Sequence, residues 1–319
     1  MEITPRQKFI HALNRQPISG RVPHFELVFY LTMEAFGKVH PCHRLYKQWD
    51  QMKKKEQLLH RKDIADIYLQ IAQRFEHSAV FLMNNIDSTE EMIRLIELVK
   101  EKSGDKYFTM IHGDATLGIP GGEKMLDFVY RLNDEPEKVK SESYELVNKA
   151  LKKAEQIKKS NCGLDCFTLC TDYGMNAGPF LSPAQFSEFV TPYLQKLIQG
   201  YRDLGFYTIK HTDGNIMPVL DQIIACKPHA LHSIDPQAGM DIREVKKLYG
   251  ATTCLIGNVN CAELDTGSEK KVRESTAYAL QNGMPGYGYI FSSSNCIYTG
   301  MQLSSYEVML DEWKKTGNY

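Results

Sequence analysis

The feature that most constrains this chain is a repeat of pattern rather than of letters. A run of β-branched, aromatic and small apolar residues is followed by a polar cluster and then by a helical apolar spacing, eight times over. The runs are VPHFELVFY, SAVFLM, YFTMIHG, DCFTLC, FYTIK, ALHSID, TTCLIG and YGYIFSS. Helical patterns fall at about residues 56–75, 88–101, 122–131, 136–159, 182–203, 216–225, 240–249 and 268–283, and a last helix ends near Trp313. Strands alternating with helices predict an α/β fold with a parallel sheet. Eight such units are the number that closes a (β/α)8 TIM barrel, and 319 residues suit one such domain over 1–319 with insertions. An open doubly wound sheet, the rival, usually carries a Gly-rich phosphate loop after an early strand. The Gly-rich pieces here, Gly118 to Gly122 and Gly283 to Gly288, lack that spacing and read as turns. An N-terminal helical extension is announced by Thr4-Pro5-Arg6-Gln7, an N-cap, a first-turn proline and a capping-box glutamine. Ser182-Pro183-Ala184-Gln185 repeats the signal before the helix at 182.

Composition narrows the function. A formal net charge of −1 with 24% charged residues leaves no basic footprint for nucleic acid. No stretch approaches the ~20 apolar residues of a membrane span. The opening MEITPRQKFIHAL lacks the layout of a signal peptide, so a cytoplasmic location is expected. Eight cysteines then read as thiols rather than a disulfide framework. Cys162, Cys166 and Cys170 flank or lie in one strand and read as buried small hydrophobes, not a metal cluster.

In a barrel, chemistry belongs at the C-terminal ends of the strands. Those ends are polar throughout. The first predicted strand carries His24 and Glu26. The second ends at Asn84-Asn85-Ile86-Asp87, the third at His112-Gly113-Asp114 and the fourth at Thr171-Asp172-Tyr173. The fifth ends at His211-Thr212-Asp213, the sixth at Asp235, the seventh at Asn258 and Asn260, and the eighth at Ser292 to Cys296. Such groups are costly to bury unpaired, and a ring of them on one rim suits a polar pocket able to bind metal. Bland readings stand beside this one. Asp87 and Asp114 suit helix caps, Asp235 a turn before Pro236, and Asn258 and Asn260 a bend after Gly257. Glu26, inside an apolar run, must find a partner or lie at the mouth. His77, His229 and His232 lack nearby support and read as structural or exposed, whereas His112 and His211 end strands. Phe29, Tyr30, Phe36, Tyr173, Phe180, Tyr298 and Met301 are candidates for an apolar wall, against an ordinary core role.

TPRQKFIHALNRQPISGRVP, DYGMNAGPFLSPAQFSEFVTPYLQKLI, IKHTDGNIMPVLDQII, HSIDPQAGMDIREVKKLYG and LIGNVNCAELDTGS together resemble the uroporphyrinogen decarboxylase superfamily, in order and over nearly the whole chain. The resemblance implies a (β/α)8 barrel. It also implies one of two activities. The decarboxylases carry an arginine-rich RQAGRY-type segment after the first strand; here the region reads HFELVFYLTMEAF, without the guanidinium forks an octa-acid needs. Asp87 is a loose equivalent of the aspartate they keep after the second strand. The other branch, the corrinoid-dependent methyltransferases, moves a methyl group between a small substrate and the cobalt of a separate corrinoid protein. Those that use coenzyme M bind zinc through His-x-Cys after the fifth strand and a distant Cys. His211 falls on that His and Cys296 near that Cys, while Asp213 stands in place of the middle Cys.

Aspartate for cysteine makes a zinc site harder and suits an oxygen-bearing substrate. The chain therefore looks nearest to the methyl-ether O-demethylase methyltransferases. The expected zinc ligands are Glu26, His211 and Cys296, with Asp213 as fourth ligand or orienting partner. Catalytic roles are expected for Asp213, Asp172, Tyr173 and Asp87, and substrate contacts from Phe29, Asn84, His112 and Asn258. Methylcobalamin or another corrinoid would be carried by a partner protein docking over the mouth, since the chain has no Asp-x-His-x-x-Gly motif; a monomer or homodimer is expected. Two alternatives stay open: a cofactor-free decarboxylase using Asp87 or Asp114, and a non-catalytic barrel that binds a corrinoid or its carrier.

Overall fold

The computed structural model describes residues 3–319. Its strands are β1 (Ala79–Leu82), β2 (Phe108–His112), β3 (Cys166–Leu169), β4 (Gly174–Met175), β5 (Gly178–Pro179), β6 (Tyr207–Thr212), β7 (Ala230–Ser233), β8 (Cys254–Val259) and β9 (Tyr289–Ser293). Seven of them form one curled parallel sheet in the order β1-β2-β3-β6-β7-β8-β9, and β4 with β5 makes a small antiparallel hairpin.

The first predicted strand is different. VPHFELVFY lies between β9 and β1 and makes only isolated bridges, His24 to Phe291 and Phe29 to Ile297. The Phe25 N–H donates to the Phe291 carbonyl at 3.2 Å, and the Ser78 N–H to the His24 carbonyl at 2.6 Å. Two residues stop it from becoming a ladder strand. Pro23 has no N–H to give. The Glu26 carboxylate takes the Ser293 N–H at 3.2 Å, a donor that a continued parallel ladder would send to the Phe25 carbonyl. The result is barrel-like and not closed by ladder bonds, a correction to the expected closed (β/α)8 barrel.

Period-two alternation along the strands splits the core into two layers. Val80, Leu82, Phe167, Leu231 and Leu255 face outward into the helices. Ala79, Phe81, Phe108, Met110, Cys166, Ile209, Ile256 and Ile290 face inward, where Phe9, Ala12 and Leu13 join them. Those last three come from the helix Pro5–Leu13, whose capping box on Thr4 and Gln7 is formed as expected. Phe9 stacks on Phe108 at 4.7 Å. Arg6 pairs with Asp165 just before β3 at 2.6 Å, so this helix seals the N-terminal end of the sheet and leaves the C-terminal rim open. The expected helix at 182–203 is two, Pro183–Phe189 and Thr191–Asp203, because Pro192 removes a donor and crowds the preceding turn.

Candidate metal centre and a cavity at the strand ends

Inward parity carries past the apolar layer to the rim. It places His112 at the end of β2, His211 on β6, His232 on β7, Asn258 on β8 and Ser292 on β9 inside the curl. His211 and His232 are register partners, as are Asn258 and Ser292.

Asp172, His211 and Asp213 have ligand atoms that all lie within 4.8 Å of one another, and among the described residues no other set of three or more such side chains does so. His211 Nε2 is 3.9 Å from Asp172 Oδ1 and 3.7 Å from Asp213 Oδ1. Each group is held from behind. The Ser233 hydroxyl donates to Asp213 Oδ1 at 2.8 Å, and the Asn295 amide donates to Oδ2. The Asp213 N–H donates to Asp172 Oδ1 at 2.9 Å. Gly214 follows with φ +83°, and a Cβ there would sit 2.2 Å from the Gly174 carbonyl carbon, so only glycine lets the β4–β5 hairpin pack against this turn.

The electrostatics favour a cation. Burial, with a smaller push from Lys210, holds His211 neutral, its pKa down to about 3. Burial and then the neighbouring Asp172 push Asp213 up to about 7. Two carboxyl groups thus flank a neutral imidazole with no positive charge between them. The adjacent cation, Lys210, is engaged elsewhere: fully buried, it donates to Asp114 at 2.9 Å and to the Thr171 carbonyl at 2.7 Å. Burial would raise Asp114, but Lys210 and the hydrogen bonds from Thr116 outweigh it and hold that carboxyl at about 2.

The structure groups the other expected residues differently. Glu26 is not in the cluster. It is buried and accepts from the Ser292 and Ser293 hydroxyls at 3.2 and 2.5 Å. Cys296 is also outside the cluster, next in sequence to the Asn295 that holds Asp213, and its thiol is pushed well up by burial and by surrounding thiol and carboxyl groups. The structure thus brings Asp172 and Asp213, and not Glu26 and Cys296, into one group with His211, because strand parity and the turn after β6 carry the two aspartates to the same imidazole. Tyr173 does not face the rim. It is buried beneath Lys210, 4.0 Å from its ring centroid, with its hydroxyl 2.6 Å from Thr116 Oγ1. Phe29 is a core residue, its ring 4.7 Å from Phe75 and 5.3 Å from Tyr306. Outward parity sends it to the helices. Asn258 is buried and donates to the Ile234 carbonyl at 2.9 Å.

Asn84, Asp87 and His112 line a cavity of about 840 Å³ between the ends of β1 and β2 and the helix Pro136–Ser160. Its walls include Tyr30, Met83, Met92 and Phe167, and they carry Lys149 and Lys153 but no arginine. Asp87 is exposed on this wall and does not cap the next helix; Ser88 does. Asn84 Nδ2 is buried without a partner. The residue missed in the sequence is His232. Its Nδ1 lies 2.7 Å from His211 Nδ1. The signal was present, since His232 shares the inward parity of Ala230. All eight cysteines are free.

The profile of the family described as Uroporphyrinogen decarboxylase (URO-D) matches residues 133–316, more than half of the chain. No curated protein matches it. Among solved structures, a methyltransferase from Methanosarcina mazei superposes with a TM-score of 0.73 at 16% identity, over 98% of this chain and 99% of that one. That likeness is one of fold. An N-acetylneuraminate lyase from Fusobacterium nucleatum aligns at a TM-score of 0.41 and 11% identity, over 73% of this chain and 64% of the other, too remote to carry an argument.

Proposed function

This chain belongs to the uroporphyrinogen decarboxylase family, and from that premise we propose that it is a methyltransferase of the corrinoid-dependent branch. It takes a methyl group from a small donor, with an aryl methyl ether as the first choice, and passes it to the cobalt of a corrinoid held by a partner protein at the rim. The observation that carries this reading is the Asp172–His211–Asp213 cluster. Its donor set is one neutral imidazole nitrogen and two carboxylates, uncompensated by any cation. Nitrogen and oxygen donors with room for a further ligand fit a catalytic zinc ion. Zinc bound there would supply charge stabilisation at the ether oxygen as the methyl group departs.

The remaining work falls to the chain. Asp213 and Asp172 are pinned by Ser233, Asn295 and the Asp213 N–H, so they present fixed oxygens beside His211. Cys296 is one residue from that grip and is a candidate for a further ligand. The cavity between the ends of β1 and β2 and the helix Pro136–Ser160, which the three cluster residues do not line, has the volume and the apolar walls for an aromatic ring. The unpaired Asn84 Nδ2 and the His112 imidazole offer hydrogen bonds to ring substituents, and Asp87 closes the polar side. A porphyrinogen would instead call for guanidinium forks, and this cavity has none.

The test is transfer from a guaiacol-type ether to reduced free cobalamin, followed by its absorption spectrum. Turnover should be lost with chelator and restored by Zn²⁺. Turnover indifferent to chelator in protein free of metal would overturn the metal reading. Loss of carboxyl groups from uroporphyrinogen would revive a decarboxylase.

A further inference from the structure

Behind His211 runs a chain of buried polar groups whose direction can be read from one end. That end is the Phe75 carbonyl, which can only accept. His24 Nδ1 lies 3.2 Å from it. Burial holds the His24 ring neutral, with its pKa near 3, so His24 is the Nδ1–H tautomer and its Nε2 is a bare lone pair. Glu26 Oε1 lies 3.3 Å from that nitrogen, and the Tyr306 hydroxyl lies 3.4 Å from the same nitrogen; the hydroxyl is also 3.1 Å from His77 Nε2. An ionised Glu26 would set lone pair against lone pair. A carboxylic acid protonated on Oε1 donates instead, which leaves Oε2 to accept from Ser292 and Ser293.

With its proton committed to Glu26, the Ser292 oxygen accepts from His232 Nε2, 3.5 Å away. Neutral His232 with its proton on Nε2 has a lone pair on Nδ1. That lone pair meets His211 Nδ1 at 2.7 Å. A contact this short between two ring nitrogens needs one hydrogen and only one, so His211 is the donor. Its Nε2 is left bare, on the side of Asp172 and Asp213.

We propose that this one-way chain, from His211 through His232, Ser292, Glu26 and His24 to the Phe75 carbonyl, fixes the tautomer of His211 and makes Ser292 and Glu26 positioning residues for a divalent cation at His211 Nε2. Glu26 thereby acts as an uncharged link and not as a ligand. The inference deepens the metal reading above, but the tautomer belongs to the metal-free protein, so the two fail separately.

The experiment is a two-bond proton–nitrogen correlation spectrum of metal-free protein labelled with ¹⁵N-histidine, paired with Zn²⁺ titration. His211 should report Nδ1–H and His232 Nε2–H. Ser292→Ala should turn His211 into a mixture of tautomers and raise the Zn²⁺ Kd about 10- to 100-fold, the usual cost of losing an outer-shell partner. Ser292→Thr keeps the hydroxyl and should restore both. Glu26→Gln should leave tautomer and affinity in place, because its amide donates to His24 and accepts from the serines. His211 protonated on Nε2 in the native protein would overturn the proposal. So would a Glu26→Gln protein that loses as much Zn²⁺ affinity as His211→Ala, the result expected of a ligand. Should Ser292→Ala not fold, the native tautomer and Glu26→Gln decide. A His211 that reads Nδ1–H in a protein that binds no zinc would uphold the chain and sink the metal reading.

Discussion

Glu26 is surrounded by groups that burial keeps uncharged at neutral pH: His24, with its pKa down, and Tyr289, Tyr306, Cys261 and Cys296, with theirs raised. With no cation beside it, burial outweighs the hydrogen bonds from Ser293 and Ser292 and pushes its carboxyl from 4.5 up to about 8. In the unfolded chain that proton leaves near the ordinary value. Across the interval between the two values the native state therefore holds a proton that the unfolded state has released. Stability falls as pH rises through that window, by up to about 1.4 kcal/mol per pH unit. Glu26→Gln removes that contribution. Denaturant unfolding at pH about 5.5 and 7.5 should show the native protein losing more stability between the two than the variant does; equal losses would contradict a neutral Glu26. At this scale the sequence was partly legible. His211 and Asp213 stood out because a strand end concentrates chemistry. Family pattern points to Cys296 and an apolar setting points to Glu26, but neither carries the rotamers that aim one carboxylate at serines and another at an imidazole. Tyr173 and Phe29 lie in the core and not at the mouth because parity, decisive inside a strand, continues into its flanks.

The elements were more legible than the site. Hydrophobic period and caps located the sheet strands and the long helices, since both follow from local chemistry. The exceptions have local causes too, Pro23 and Glu26 in the first predicted strand and Pro192 in the split helix. One tie between elements had no local signature. Lys210 leaves β6 on its outer face, next to inward His211, and reaches Asp114 beyond β2, with both side chains fully buried. The neighbouring Tyr173 ring and Thr171 carbonyl complete its cage. Lys210→Met should strand a buried carboxylate and cost about 3–5 kcal/mol. Adding Asp114→Leu should recover much of that loss, because the pair's mutual attraction is largely offset by its desolvation. Urea denaturation of the single and double variants checks both statements; additive losses would show that the two residues act independently.

For the whole molecule, the helix Pro5–Leu13 closes one end of the curled sheet with Phe9 among the inward side chains, and that closure leaves chemistry to the other end. Phe9→Ala should cost about 3–5 kcal/mol while the isolated protein that remains folded binds Zn²⁺ as before. A change in Zn²⁺ affinity would mean that the two ends are coupled. Metal should in turn stabilise the fold by mass action. At free Zn²⁺ of about 100 times its Kd, unfolding should become harder by about 2.7 kcal/mol, and His211→Ala should abolish the gain. Calorimetry with and without metal measures both.

The central claim is that one ion joins side chains from the loop after β3 and from the strand and turn of β6. The most direct test is a crystal of the zinc-loaded protein with anomalous scattering collected on both sides of the zinc edge. The account predicts a single strong peak about 2.0–2.2 Å from His211 Nε2 and from oxygens of Asp172 and Asp213. A peak bound by Glu26, or no peak at the C-terminal rim in protein that turns over, would contradict it.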